Sequence, residues 1–117
     1  MEIASILDSV KDYCNVSEAE TDFDNELLMY INSSFVTLSQ IGVGPDMPIT
    51  VSDNSETWDD LDIDQSLIGM VKNYIYLKVR SLFDAPQGGS LSTAIKETAA
   101  ELEWRLNFFG DHSFEVS

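Results

Sequence analysis

The helical pattern of residues 22–40 is the feature that most constrains what this chain can fold into. Apolar side chains recur there at steps of three and four residues, which places them on one face of an α-helix. Thr21 and Asp22 are suitable N-cap residues, and Gly42 and Gly44 supply a stop. Such a helix spans about 28 Å, and its apolar stripe needs other elements to cover it. The stripe comprises Phe23, Leu27, Tyr30, Ile31, Ser34, Phe35, Leu38 and Ile41.

Three further segments carry the same periodicity. It predicts a first helix over residues 3–14, a third from residue 64 or 66 to residue 82, and a fourth from residue 90 or 92 to residue 107. A flexible break is expected over residues 84–89. The residues that share one face are Ile3, Ile6, Leu7, Val10 and Cys14 in the first helix and Leu67, Val71, Tyr74, Ile75, Lys78 and Leu82 in the third. The fourth helix is predicted to bury Leu91, Ile95, Ala99, Leu102 and Leu106.

Residues 42–65 interrupt the helical pattern. Residues 48–51 have strand-like chemistry and residues 53–55 read as a turn. We therefore predict a mainly α fold, a four-helix bundle-like domain with an acidic loop or small β-hairpin between helices 2 and 3. Residues 1–107 would form this helical domain. Residues 108–117 lack a helical period and would form a flexible C-terminal arm.

The negative charge lies almost entirely in the first half of the chain. Residues 1–64 contain 15 Asp and Glu and a single Lys, a net of −14, while residues 65–117 contain 6 acids and 5 bases, a net of −1. Nucleic-acid-binding proteins present basic patches to phosphates, and the 6 basic residues of this chain cannot outweigh 21 acids. The charge pattern therefore disfavours stable DNA binding and indicates two surfaces with different roles.

Chain length and cysteine content give further expectations. A length of 117 residues predicts one domain. The single cysteine, Cys14, cannot form an internal disulfide and lies on an apolar stripe, so we expect a buried, unreactive thiol. No apolar run approaches the roughly 18 residues of a membrane span, and no secretion signal is visible. We expect a soluble protein made inside the cell, with no membrane partner.

Neither a catalytic nor a metal-binding constellation is evident. The only histidine, His112, lies in the predicted arm and reads as a surface residue. An EF-type calcium loop needs glycine at its sixth position, and counting from Asp53 that position is Trp58. A phosphate-binding glycine loop and a nucleophile elbow are also missing. We assign no catalytic, cofactor-binding or metal-binding residue, and we interpret the acids of the loop as a solvated anionic surface.

Two groups of residues are candidates for contact with a partner. Trp58 lies among acids, and it is either the hydrophobic plug of its own loop or an anchor for a partner. The phenylalanines of the arm either bind a partner groove or fold back onto the helices. The candidate partner interface comprises Trp58, Asp59, Asp60, Asp62, Asp64, Phe108, Phe109 and Phe114.

The chain resembles the small head–tail connector proteins, also called head-completion or adaptor proteins, of long-tailed bacteriophages. Six stretches carry the likeness through their order and spacing, and none of them is a catalytic signature. They are residues 6–11, 22–32, 38–44, 57–61, 71–86 and 101–107.

The resemblance implies a mostly helical virion subunit without enzymatic activity or cofactor. Such proteins form a ring, commonly of twelve copies, beneath the portal protein, and they assemble in the host cytoplasm before residing at the head–tail interface. The ring extends the DNA channel, through which genomic DNA passes without specific binding, and offers a platform to a stopper or tail-completion protein. By this likeness Phe108, Phe109 and Phe114 would grip the portal.

A different class of function stays open at this point. A DNA-mimic inhibitor of a host DNA-binding enzyme would also be small, acidic and free of cofactors. Mimicry needs carboxylates spaced like phosphates along an elongated face, whereas the acids here are concentrated in residues 18–26 and 53–64.

Overall fold

Four α-helices build the molecule, as the sequence predicts. The structure, a computed structural model, describes residues 4–83 and 89–116, and it describes side chains over residues 4–83 and 93–108. The helices are α1 (Ile6–Tyr13), α2 (Asp24–Gln40), α3 (Ile68–Phe83) and α4 (Gly89–Val116), with a 3-10 turn at Trp58–Asp60. The mainly α, four-helix bundle-like fold class is thereby confirmed. None of the described helices is both long and apolar enough to cross a membrane.

The central helix of the bundle is α3, which packs against α4, α2 and α1. Its apolar face contributes Val71, Ile75 and Val79, each fully buried. The N-terminal half of the chain covers one side of α3, and α4 covers another. The buried core contains Ile6, Leu7, Val10, Cys14, Leu27, Ile31, Phe35, Leu38, Val43, Val51, Trp58, Ile63, Val71, Tyr74, Ile75, Val79, Ile95, Ala99 and Leu106.

The first two helices end in the same way, with a residue in the left-handed region. Gly42 has a φ of 85°, and the amide of the following Val43 donates to the Leu38 carbonyl at 2.9 Å. Asn15 has a φ of 62°, and the Val16 amide donates to the Lys11 carbonyl at 2.8 Å. This is the Schellman arrangement, which satisfies the last carbonyls of a helix. The stop predicted after residue 40 is therefore observed.

A buried lysine ties the connection between α1 and α2 to the bundle. The Lys11 side chain is 2% exposed, and its Nζ lies 2.8 Å from Asp24 Oδ1. The same ammonium donates to the carbonyls of Glu18 at 3.1 Å and Glu20 at 2.6 Å. A charge is rarely buried without such partners, because desolvation costs more than a single contact returns. The only basic residue of the acidic half is thus a structural one, a role that sequence reasoning missed.

Several expectations about element boundaries and burial need correction. In place of the hairpin alternative, the described part of the 42–65 segment has a single isolated bridge between Ser5 and Thr57. Leu82, predicted on the apolar side of the third helix, is 47% exposed and does not belong to the core. Trp104 of α4 is 69% exposed. The backbone of residues 108–116 continues α4, where a segment without helical period was expected. Its separation from the helical domain as an arm stays a prediction.

Some expectations fall outside the described residues. These are the break at residues 84–88 and the placement of Ile3. The side chains of Leu91, Phe109, His112 and Phe114 also lie outside the described part.

Replacing Lys11 tests its structural role. We expect Lys11→Met to lower the free energy of unfolding by about 3–5 kcal/mol, because the Asp24 carboxylate is left buried without its cation. Urea denaturation followed by circular dichroism measures the loss. The control is Arg105→Met, which breaks a pair with Glu101 whose side chains are 55% and 60% exposed and should cost less than about 1 kcal/mol. Equal losses in the two variants would contradict the prediction.

Two neighbouring positions on α4 test which of its faces is buried. Leu106 is fully buried, so Leu106→Ala should destabilise the protein by about 2–5 kcal/mol. Trp104→Ala should change stability by no more than about 0.5 kcal/mol, because most of its ring is already in water. Chemical denaturation measures both effects. A larger loss for Trp104→Ala than for Leu106→Ala would show that the face is assigned incorrectly.

Candidate functional site

One asparagine side chain fastens the strand-like part of the acidic loop, residues 42–65, to α2. Asn32 Nδ2 donates to the Val51 carbonyl at 3.0 Å, and the Val51 amide donates to Asn32 Oδ1 at 2.7 Å. A carboxamide thus satisfies both polar groups of one loop residue, as a neighbouring β-strand would. Residues 48–51 therefore keep the chemistry of a strand without a hairpin, because the Asn32 side chain takes the place of a partner strand at Val51.

A second attachment joins the loop to the start of α1. The Ile6 amide donates to the Glu56 carbonyl at 3.0 Å, and the Trp58 amide donates to the Ala4 carbonyl at 3.1 Å. The Glu56 carboxylate in turn accepts hydrogen bonds from the amides of Ser52 and Asp53. The loop is therefore held at both its strand-like part and its acidic part.

Trp58 is the apolar anchor of the acidic loop. It is 2% exposed, and its Nε1 donates to Ser9 Oγ on α1 at 2.9 Å. Its ring meets Tyr76 of α3 edge-on, with centroids 5.8 Å apart, and the Lys72 ammonium lies 5.7 Å from its ring centroid. Of the two alternatives for Trp58, the structure shows the plug of its own loop. The ring is not offered to a partner in this conformation.

The four aspartates that follow Trp58 are presented to solvent. Asp59, Asp60, Asp62 and Asp64 are all exposed, while Ile63 between them is buried. The backbone amide and then the hydroxyl of Ser66 donate to Asp64 and lower its pKa. The four carboxylates form an anionic edge on a loop that the buried side chains of Trp58 and Ile63 anchor to the fold.

A similar turn precedes Trp58. The hydroxyl and then the backbone amide of Ser55 lower the pKa of Asp53.

A cavity of about 370 Å³ lies between the loop, α1 and α2, and Asp8, Asp24 and Asp53 are among its lining residues. In the described part of the chain, however, no three His, Cys, Asp or Glu side chains lie together as metal ligands would.

The other candidate residues lie on α4. Phe108 is 48% exposed, and Trp104, one turn before it on the same helix, is 69% exposed. They form an aromatic strip on α4. The side chains of Phe109 and Phe114 lie outside the described residues. The prediction did not include Trp104 in the interface, although its four-residue spacing from Phe108 was visible in the sequence.

The acidic loop and the aromatic strip are therefore separate surfaces. The loop lies on α1, α2 and the side of α3 that carries Tyr76. The helix that carries the strip, α4, packs mainly against α3. The residues predicted as one candidate interface are thus divided between two elements of the fold.

Removing the Asn32 side chain tests how the loop is held. In Asn32→Ala the Val51 amide and carbonyl lose their partners, so we expect a loss of about 1–3 kcal/mol and faster amide exchange in residues 49–58. Hydrogen exchange followed by NMR measures this change residue by residue. Ser33→Ala, at an exposed neighbouring position of α2, is the control and should leave the exchange unaltered. Unchanged protection of Val51 in Asn32→Ala would contradict the assigned role.

Of the comparisons with known proteins, the one with family models gives a match. No curated protein and no solved structure gives a significant match. A family model described as phage connector protein matches residues 6–113, which include all four helices except the last turn of α4. The match spans far more than half of the 117 residues. The chain therefore belongs to the phage connector protein family.

Proposed function

We propose that this protein is a structural subunit of the phage virion that docks as a ring beneath the portal protein. The ring would extend the DNA channel and present a platform to a stopper or tail-completion protein. The observation that carries the proposal is the family match over residues 6–113. A connector role and a place in the virion follow from the family, while the ring and its position beneath the portal are the proposal.

The electrostatics of the chain support a passive role toward DNA. The net charge is −15, and Asp59, Asp60, Asp62 and Asp64 are exposed on a fixed loop. Carboxylates repel the phosphate backbone, so DNA meets few groups on which it could be retained. We therefore propose that genomic DNA passes through the ring without specific binding, and that the subunit acts by docking rather than by catalysis.

The C-terminal part of α4 is the proposed contact with the portal. Phe108 is half-exposed at 48%, and Phe109 and Phe114 follow it on the same helix. Apolar aromatic side chains at the end of a helix are well suited to fill a groove of a partner. A helical arm would also lose less conformational entropy on docking than a flexible one.

Capture on the portal tests the proposal. Immobilised portal protein should retain the full chain, and truncation after Asn107 should abolish retention while the helical content of the remaining domain persists, since Leu106 is still present. The control is Met47→Ser, which removes an apolar side chain that is 80% exposed in the acidic loop. This variant should still bind. Undiminished retention of the truncated chain would contradict the role of the C-terminal segment.

Capture on an immobilised protein also distinguishes the connector proposal from the DNA-mimic alternative. A DNA-cleaving enzyme is immobilised beside the portal protein, and both are offered the full chain. Retention on the enzyme with inhibition of its activity, and none on the portal, would overturn the connector proposal in favour of mimicry.

A further inference from the structure

A groove between α3 and α4 is lined by two lysines from opposite walls. Lys78 of α3 and Lys96 of α4 border a cavity of about 130 Å³, together with Tyr74, Ala100 and Glu103. Lys96, Ala100 and Glu103 share one face of α4 because they are three, four or seven residues apart.

These two lysines differ from the other basic residues of the chain. Neither ammonium is paired with a carboxylate in the part of the chain that the structure describes, whereas each of the other four basic side chains has a partner within the fold. Those four are Lys11 with Asp24, Lys72 with Trp58, Arg80 with Tyr13, and Arg105 with Glu101.

The groove already contains one carboxylate, that of Glu103, and one of its oxygens has a hydrogen-bond partner. Glu103 Oε1 accepts a hydrogen bond from the Tyr74 hydroxyl at 2.9 Å. Burial, and then the Glu103 hydrogen bond, raise the pKa of Tyr74 far above its ordinary value, so the hydroxyl stays a neutral donor. The groove thus carries two cations and one anion. Its local net charge of +1 contrasts with the net charge of −15 of the whole chain.

The acidic loop lies on the other side of α3 from this groove. Lys72 and Tyr76 of α3 contact the loop through Trp58, whereas Tyr74 and Lys78 line the groove. Two residues correspond to about 200° around an α-helix, so Lys72 and Tyr74 project in opposite directions. The loop therefore does not line the groove of its own chain.

We propose that the α3–α4 groove receives the exposed aspartates of the acidic loop, Asp59–Asp64, from a second copy of this chain. Donor and acceptor surfaces are different and lie on opposite sides of α3, so the contact is head-to-tail, the type that closes into rings. The inference rests on the proposed function only in that the ring is the assembly in which this contact would repeat. Lys78 and Lys96 would then gain anionic partners beyond those that the described part of one chain offers them.

Variants that remove negative charge distinguish the proposed contact from simple repulsion between two acidic chains. Neutralising Asp60 and Asp62 (Asp60→Asn, Asp62→Asn) reduces the net charge and would strengthen association if only overall repulsion mattered. The proposed contact predicts the reverse, self-association weakened by about tenfold for two lost ion pairs. The control is Asp12→Asn with Asp22→Asn, the same charge change at exposed residues outside the loop. It should associate at least as well as the wild-type chain.

Complementary variants test the direction of the contact. Lys78→Glu with Lys96→Glu disables the groove but keeps the loop, and the Asp60/Asp62 variant disables the loop but keeps the groove. Each alone should self-associate weakly, while their mixture should form a one-to-one complex with wild-type affinity. NMR titration of the isotope-labelled full chain with unlabelled chain, at fixed ionic strength, measures these affinities through shifts at Lys78 and Lys96. Arg105→Glu, on α4 outside the groove, should bind normally.

Several results would overturn the proposal. The first is the absence of NMR shifts in the groove when wild-type chain is added at high concentration. The second is a mixture of the two variants that associates no more tightly than either variant alone. The third is a set of groove shifts produced by a short DNA duplex but not by a second chain. The last result would identify phosphate rather than carboxylate as the ligand. Failure here with intact portal capture would leave the proposed function standing. Formation of the mixed complex without portal capture would leave only the groove contact standing.

Discussion

A single buried ammonium lets the acidic half of this chain pack against the rest of the bundle. Residues 1–64 contain 15 acids and only Lys11 as a cation, and that cation is used inside the fold rather than on the surface. It connects the end of α1 with the carbonyls of residues 18 and 20 and with the first residue of α2, Asp24. These three contacts of one ammonium hold the connection between the first two helices against the start of α2.

With α1 and α2 in place, the acidic loop has a surface to which it can attach. Hydrogen bonds join it to Asn32 and Ser39 of α2, to Ser9 of α1 and to the backbone of Ala4 and Ile6. Burial of Trp58 and Ile63 directs the intervening aspartates outward. The result is an anionic edge held by apolar side chains and hydrogen bonds, which suits a subunit that binds through a fixed surface.

The two sides of α3 give the molecule a polarity that matters for assembly. One side carries the acidic loop, and the other carries the groove with Lys78 and Lys96 and, beyond it, the aromatic strip on α4. In the proposed ring, each subunit would bind a neighbour on each side and different proteins above and below. The acidic loop, the lysine-lined groove and the aromatic strip differ in chemistry, so each favours a different kind of partner.

The sequence by itself determined the number and order of the helices, the stop after α2 and the concentration of acid before residue 65. These are local properties, since helical periodicity, glycine at a C-terminus and net charge are read within a few turns. Only the tertiary structure decided that Lys11 and Trp58 are buried and that Trp104 is exposed. Ser9 and Trp58 are separated by 49 residues, and no local pattern encodes such a pairing. The outward direction of Trp104 likewise depends on where α3 contacts α4, because an aromatic residue fits the helical period on either face.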